Sequence, residues 1–261
     1  MPSRTQTRRM FVQGGAAAAL AIALGVSSPA LAQVSEESPK QPPEGSPAFE
    51  RFRWSFFEDK DSPRNGLDSA ALRQLEGDER RRAEDMLIRF LPDDRAIIGL
   101  GELRSRRAEG ELLKLFFAER RARTVAKLIR YRDLLPYRLV ELAKALWQIR
   151  PDQRWLAAAA DILASGDHEH YREEAAMALS VFRDPAAVRA LVTALDDPAS
   201  LVRHHAARSL LTIHGLFDVA DLMNARPEQP MFRVMSDEPA RRESGKRDIL
   251  AAIATRPISP P

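Results

Sequence analysis

Apolar positions recur with a helical period through most of the chain. Ala175, Ala176, Leu179 and Phe182 stand at i, i+1, i+4 and i+7, and Ala206, Ala207, Leu210 and Ile213 repeat the set. That spacing puts four side chains on one stripe of a helix, and the paired alanines let a neighbouring helix approach closely. The segment from Tyr171 to Leu179 returns 31 residues later as Val202 to Leu210, keeping the Arg, both Ala and the Leu. Moved back by 79 residues, Ala175–Leu195 falls without a gap on Ala96–Phe116, pairing Leu179 with Leu100, Phe182 with Leu103 and Arg183 with Arg104. A shift of 33 sets Ala143 and Leu146 under Ala176 and Leu179. Four second helices are predicted, near 93–104, 137–149, 170–183 and 200–214. Their partners are Ala108–Phe117, Thr124–Arg130, Trp155–Leu163 and Ala186–Leu195.

Asp184-Pro185 and Asp197-Pro198 punctuate the repeat, with Asp capping free amides and Pro suited to a first helical turn. A two-helix unit of this length cannot bury its own apolar face, so copies must stack and cover one another. The fold class that follows is all-α, an α-solenoid of stacked helical hairpins. A coiled coil is excluded because no seven-residue repeat persists through the Pro and Gly breaks.

The segments outside the repeat differ in character. Residues 1–32 combine a basic start, an apolar run from about Phe11 to Val26, and the small-residue ending Ala30-Leu31-Ala32, which together mark an export signal cut after Ala32. The run is shorter than the roughly 20 residues that span a bilayer, so no stable membrane insertion is expected after cleavage. Residues 33–48 turn to Ser, Glu, Gln and Pro without apolar periodicity and read as a spacer. Residues 49–92 hold the aromatic stretch FERFRWSFF, expected as a lid over the first turn of the fold, and two capping helices. Asp68 or Ser69 is expected to cap the first of these and Asp78 the second. The repeat solenoid occupies 93–225, including a further helix at Leu216–Ala225. Residues 226–261 supply a last amphipathic helix over Pro239–Thr255 and a tail.

Two resemblances follow from these residues. Thr7-Arg8-Arg9-Met10-Phe11-Val12-Gln13 resembles the twin-arginine export motif. That implies passage of the folded chain through the twin-arginine translocase and a periplasmic or secreted destination, with Arg8, Arg9, Phe11, Ala30 and Ala32 as the signal's working residues. The stretch 170–215 resembles HEAT repeats of the phycobilisome-lyase type. Arg172, Ala175, Ala176, Leu179, Asp184, Pro185, Val188 and Leu191 match one copy, and Arg203, Ala206, Ala207 and Leu210 match the next. The resemblance implies that Arg172 and Arg203 are structural, pairing with an Asp of an inter-helix loop and with backbone carbonyls. It also implies that the second helices line the concave wall.

Charge and composition narrow the function. The 40 Lys and Arg exceed the 37 Asp and Glu by three, and Arg4, Arg8 and Arg9 of the acid-free export signal account for the whole excess. The remainder is neutral, which removes the usual footprint of a nucleic-acid binder. Without cysteine there are no disulfides, thiolate metal sites or cysteine nucleophiles. His168-Glu169-His170-Tyr171-Arg172 is not His-Glu-x-x-His, Gly99-Leu-Gly101 has Arg104 where a dinucleotide fingerprint needs Gly, and no Gly-x-Ser-x-Gly occurs. No catalytic motif is present and no cofactor is called for. Some proteins with phycobilisome-type repeats attach bilins, but no residue here is assignable to that reaction.

All five histidines lie within 168–214. His168, His170, His204 and His205, with the neighbouring glutamates, form the basis of an alternative reading as a metal-binding or metal-dependent protein. HEAT-like deoxyhypusine hydroxylases carry His-Glu pairs at this helix position in several repeats. Here the positions read Glu173-Glu174 and His204-His205, an incomplete set that rules that activity out. The leading expectation is an exported, non-enzymatic interaction scaffold holding a protein partner. The residues facing away from the stripes are its contacts: Glu141, Lys144 and Trp147 in one unit, Glu173, Glu174 and Met177 in the next, and His204, His205 and Arg208 in the last.

Overall fold

The computed structural model describes residues 45–58, 66–128, 137–166, 168–217 and 226–258, and every regular element among them is helical. The export signal, most of the spacer, and the helix expected at Leu216–Ala225 lie outside the described residues, apart from Leu216 and Phe217. In chain order the elements are α1 (Pro47–Arg53), a π-helical turn (Trp54–Glu58), α2 (Ser69–Arg73), α3 (Gly77–Arg89), α4 (Asp94–Glu102), α5 (Glu109–Leu128), α6 (Tyr137–Ile149), α7 (Gln153–Ser165) and α8 (Glu169–Ala178), the last continued by a 3-10 turn (Leu179–Val181). α9 (Pro185–Ala194), α10 (Ser200–Ile213), α11 (Pro230–Arg233) and α12 (Pro239–Ala254) complete the order.

The helices pack as consecutive hairpins: α3 on α4, α5 on α6, α7 on α8, α9 on α10 and α11 on α12. The second members form a row, α4 against α6, α6 against α8, α8 against α10, and α10 against α12. This is an α-solenoid, and its physical basis is the stripe. Ala143, Ala175, Ala176, Ala206 and Ala207 are fully buried, so helix backbones meet over methyl groups. Leu100, Leu146, Leu179 and Leu210 lie in one continuous core. Across that seam the buried Ser209 hydroxyl donates to the Ala176 carbonyl at 2.8 Å, tying α10 to α8.

The repeat extends to the way the second helices end. Arg104, Arg183 and Gly215 all have positive φ, at 49°, 44° and 65°. After α4, the Arg104 and Ser105 amides return to the Gly101 and Leu100 carbonyls. After α10, the Gly215 and Leu216 amides return to those of Thr212 and Leu211. Both are Schellman closures, which need one left-handed residue past the helix end. Only the last copy places a glycine there. In α6 the corresponding turn runs into Pro151 and carries no such residue.

Arginines at the start of the second helices join units together. Arg172 donates from Nε and Nη2 to the two carboxylate oxygens of Asp197 at 2.8 and 2.9 Å, and from Nη1 to the Gly166 carbonyl at 2.9 Å. Arg203, nearly fully buried, donates to carbonyls among the described residues, those of Val234, Asp197, Pro198 and Met235 at 2.6 to 3.2 Å. Arg138 reaches back to Asp94 and Glu119.

Several sequence expectations need correction. The partner helix expected at Ala108–Phe117 and the described part of the one expected at Thr124–Arg130, which reaches Leu128, run together in one helix, α5, because the intervening AERRAR consists of strong helix formers with no Gly or Pro to break it. Asp197-Pro198 does not open α10, which starts at Ser200. Instead the Asp197 carboxylate takes the Ala199 amide at 2.8 Å while holding Arg172. Asp78 lies inside the first turn of α3, whose N-cap is Glu76 without a side-chain bond. The spacer ends sooner than expected, since Ser46 caps α1 and donates from its amide and hydroxyl to Glu79 of α3 at 2.6 and 2.7 Å. In the aromatic stretch Phe49, Phe52 and Phe56 enter the core, whereas Trp54 and Phe57 stay exposed.

Candidate interaction face

The row α6, α8, α10 carries every residue proposed from the sequence as a contact, and each falls in one of two environments. Glu141 is 4% exposed, with Oε2 at 2.6 Å from Lys144 Nζ, an ion contact whose angle is not that of a hydrogen bond. His204 is 8% exposed; its Nδ1 is 3.2 Å from the Met231 carbonyl, and its ring lies 5.3 Å from that of Phe232. Trp147 packs on Phe182 with ring centroids 5.0 Å apart and joins the rim of the core. Burial withdraws Glu141 and His204 from the open surface, the latter beneath α11, which the helical stripe alone does not reveal, while Trp147 stays half-buried. Lys144, Glu173, Glu174, Met177, His205 and Arg208 are half-buried and share the open part of the face.

Between α6 and α8 the face is acidic. Burial pushes the Glu174 carboxyl above its usual range, and Glu141 and Glu173 push the same way against the opposing pull of His170 and Lys144. The Tyr137 phenol is likewise raised, by burial first and then by Glu141, Glu174 and Asp94. Tyr137 sits one turn before Glu141 and was absent from the sequence reading, although the i, i+4 spacing would have found it. At α10 the character changes. Burial, aided by His204 and Arg208, drops the His205 imidazole to about 4, and its Nδ1 has no hydrogen-bond partner among the described residues. Arg208 lies over the Phe217 ring, 5.1 Å from its centroid. The face thus runs from carboxylates through neutral imidazoles to a guanidinium, so that both signs occur along its length.

The metal alternative gains no geometry. His168 and His170 are exposed and flank Tyr171, with ring centroids 5.8 and 6.1 Å from it. His204 already has Nδ1 at the Met231 carbonyl, and the fifth histidine, His214, has Nδ1 2.8 Å from the Arg256 carbonyl. Among the described residues no group of three or more His, Asp or Glu side chains is positioned to hold a metal ion. Nor is any described helix long and apolar enough to cross a membrane. The export residues Arg8, Arg9, Phe11, Ala30 and Ala32 lie outside the described residues.

Residues 133–211 match the family model described as HEAT repeats, a stretch that takes in α6 to α9 and most of α10. No curated protein and no solved structure matches the chain. The matched stretch coincides with the helices that carry the face, and this part of the chain is similar to HEAT repeats.

Proposed function

We propose that the chain is an exported, non-catalytic scaffold that holds a polypeptide partner along its row of second helices. The observation that carries this reading is the set of half-buried groups of both signs, Lys144, Glu173, Glu174, His205 and Arg208, lined up on adjacent helices whose backbones the alanine stripes hold in close register. HEAT repeats commonly serve as protein-interaction scaffolds. A polypeptide offers amides, cations and carboxylates to such a mixed face, whereas a nucleic acid would need a run of cations. The subtype we assign is the phycobilisome-lyase form of the repeat, on Arg172, Asp184 and Pro185 with the alanine pairs.

Export is part of the same proposal and rests on Arg8-Arg9, the apolar run and Ala30-Leu31-Ala32, with the twin-arginine translocase as carrier and the periplasm or exterior as destination. The face is tested by Glu173→Lys, Glu174→Lys and His205→Asp in one variant. Partner capture in the cell falls at least tenfold while the far-ultraviolet circular dichroism keeps its helical amplitude; undiminished capture refutes the assignment. For export, Arg8→Lys with Arg9→Lys traps the chain in the cytoplasm, and normal export of that variant removes the twin-arginine route.

A further inference from the structure

We propose that a pocket at the end of the second-helix row receives the C-terminal residue of a partner polypeptide, an apolar side chain together with its own free carboxylate. The inference rests on the polypeptide-binding reading above and adds the chemical identity of one anchor. The pocket has a volume of about 410 Å³ and is lined by Arg226, Pro227, Phe232, Met235, Ser236 and Arg241. It lies next to α10, because Phe232 of α11 rests on the buried His204 ring.

The lining is chemically one-sided. Pro227, Phe232 and Met235 give apolar walls, and among the described residues the polar side chains of the lining are two guanidiniums and a hydroxyl. Arg241 uses Nη2 for the Pro227 carbonyl and for Glu228 Oε1, each at 3.1 Å. A guanidinium carries five donors, so those contacts orient it without exhausting it. Glu228 is 81% exposed, and the pair is therefore readily exchanged for a better acceptor. The Ser236 hydroxyl accepts the Glu238 amide at 3.2 Å, which leaves its proton to donate. Donors set beside an apolar wall select an apolar body that bears an anionic acceptor.

The size and the geometry of an extended peptide choose among the sources of that chemistry. Pockets for small ligands run from roughly 300 to 1,000 Å³, so this one is at the small end and holds about one or two residues. In an extended segment, successive side chains point to opposite faces, so an internal Phe-Glu or Leu-Asp pair cannot direct both groups into one small pocket. A terminal residue carries its carboxylate and its side chain on the same Cα. C-terminal carboxylate capture is an established mode of peptide recognition in general.

The test measures fluorescence anisotropy of the full chain with a labelled octapeptide of Gly and Ser that ends in Phe, compared as the free acid and as the C-terminal amide. The free acid binds, the amide binds at least tenfold more weakly, and Arg226→Gln with Arg241→Gln weakens the acid at least tenfold. If that double variant loses its helical signal, Ser236→Ala and the acid-to-amide ratio on the unaltered chain decide. Equal affinity for acid and amide, no binding at millimolar peptide, or hexanoate binding as tightly as the peptide overturns the inference. Partner capture that needs Glu173 and Glu174 but ignores amidation overturns this anchor alone, whereas capture indifferent to those residues overturns the parent reading.

Discussion

Replacing Asp197 with Ala is the most informative single perturbation, because one carboxylate joins two hairpins. It accepts both Arg172 donors at 2.8 and 2.9 Å and the Ala199 amide at 2.8 Å, with side-chain exposures of 15% for Arg172 and 9% for Asp197. Its removal leaves the guanidinium nearly buried, with the Gly166 carbonyl as its remaining hydrogen-bond partner among the described residues. Breaking a buried pair by deleting one member costs roughly 3–5 kcal/mol, and the small residual exposure argues for about 3. Loss of the amide acceptor adds about 1 kcal/mol. The expected total is about 4 kcal/mol, a large share of a typical stability of roughly 5–15 kcal/mol, and it lowers Tm by about 8–16 °C. Urea unfolding followed at 222 nm measures it. Arg172→Met alone is also destabilising, and the double variant recovers more than about 1 kcal/mol of the summed loss because no unpaired charge remains. By contrast, Glu111→Ala, which breaks the exposed Lys114 pair at 2.7 Å, costs less than about 1 kcal/mol. A cost below about 1 kcal/mol for Asp197→Ala, or strict additivity in the double variant, would refute the view that this pair clamps the stack.

Three other expectations follow from the same geometry. Arg104→Gly relieves an exposed left-handed residue and stabilises by about 0.5–1 kcal/mol net of the backbone entropy that glycine adds, measured as a Tm rise of a few degrees; a fall in Tm contradicts it. Leu210→Ala removes a fully buried side chain at the seam with α8 and costs roughly 2–5 kcal/mol in chemical denaturation, whereas Leu201→Ala, 45% exposed, stays within about 0.5 kcal/mol. The third concerns acid. His205 is held at about 4 when folded against a usual 6.5, so between those values the unfolded chain binds more protons and stability falls as the pH drops from about 6.5 toward 4. After discounting for its half-exposed setting the loss is on the order of 1–2 kcal/mol. His205→Gln flattens that part of the profile, and an unchanged profile removes His205 as its source.

The repeat was legible because its determinants are local. Ala175, Ala176 and Leu179 announce their stripe by spacing alone, and the 79-residue shift that pairs Arg183 with Arg104 matches two residues that both turn out left-handed. What spacing could not reveal is which outward positions the packing covers. Glu141 and His204 occupy outward positions on their own helices, yet one is buried with Lys144 beside it and the other is covered by Met231 and Phe232 from α11, a four-residue helix without periodicity. Helix ends were also misjudged where composition was permissive. Nothing in AERRAR marks a boundary, and Asp197-Pro198 resembles a helix start while serving the preceding unit's arginine.

A partner held as proposed lies on the second-helix row and not on the first helices. Site-specific photo-crosslinking in the cell tests it directly, with a benzoylphenylalanine at Met177 of α8 compared with one at the exposed Arg189 of α9. A discrete crosslinked partner is expected from position 177 and none from 189. Equal crosslinking from both positions, or crosslinking from 189 alone, would contradict it.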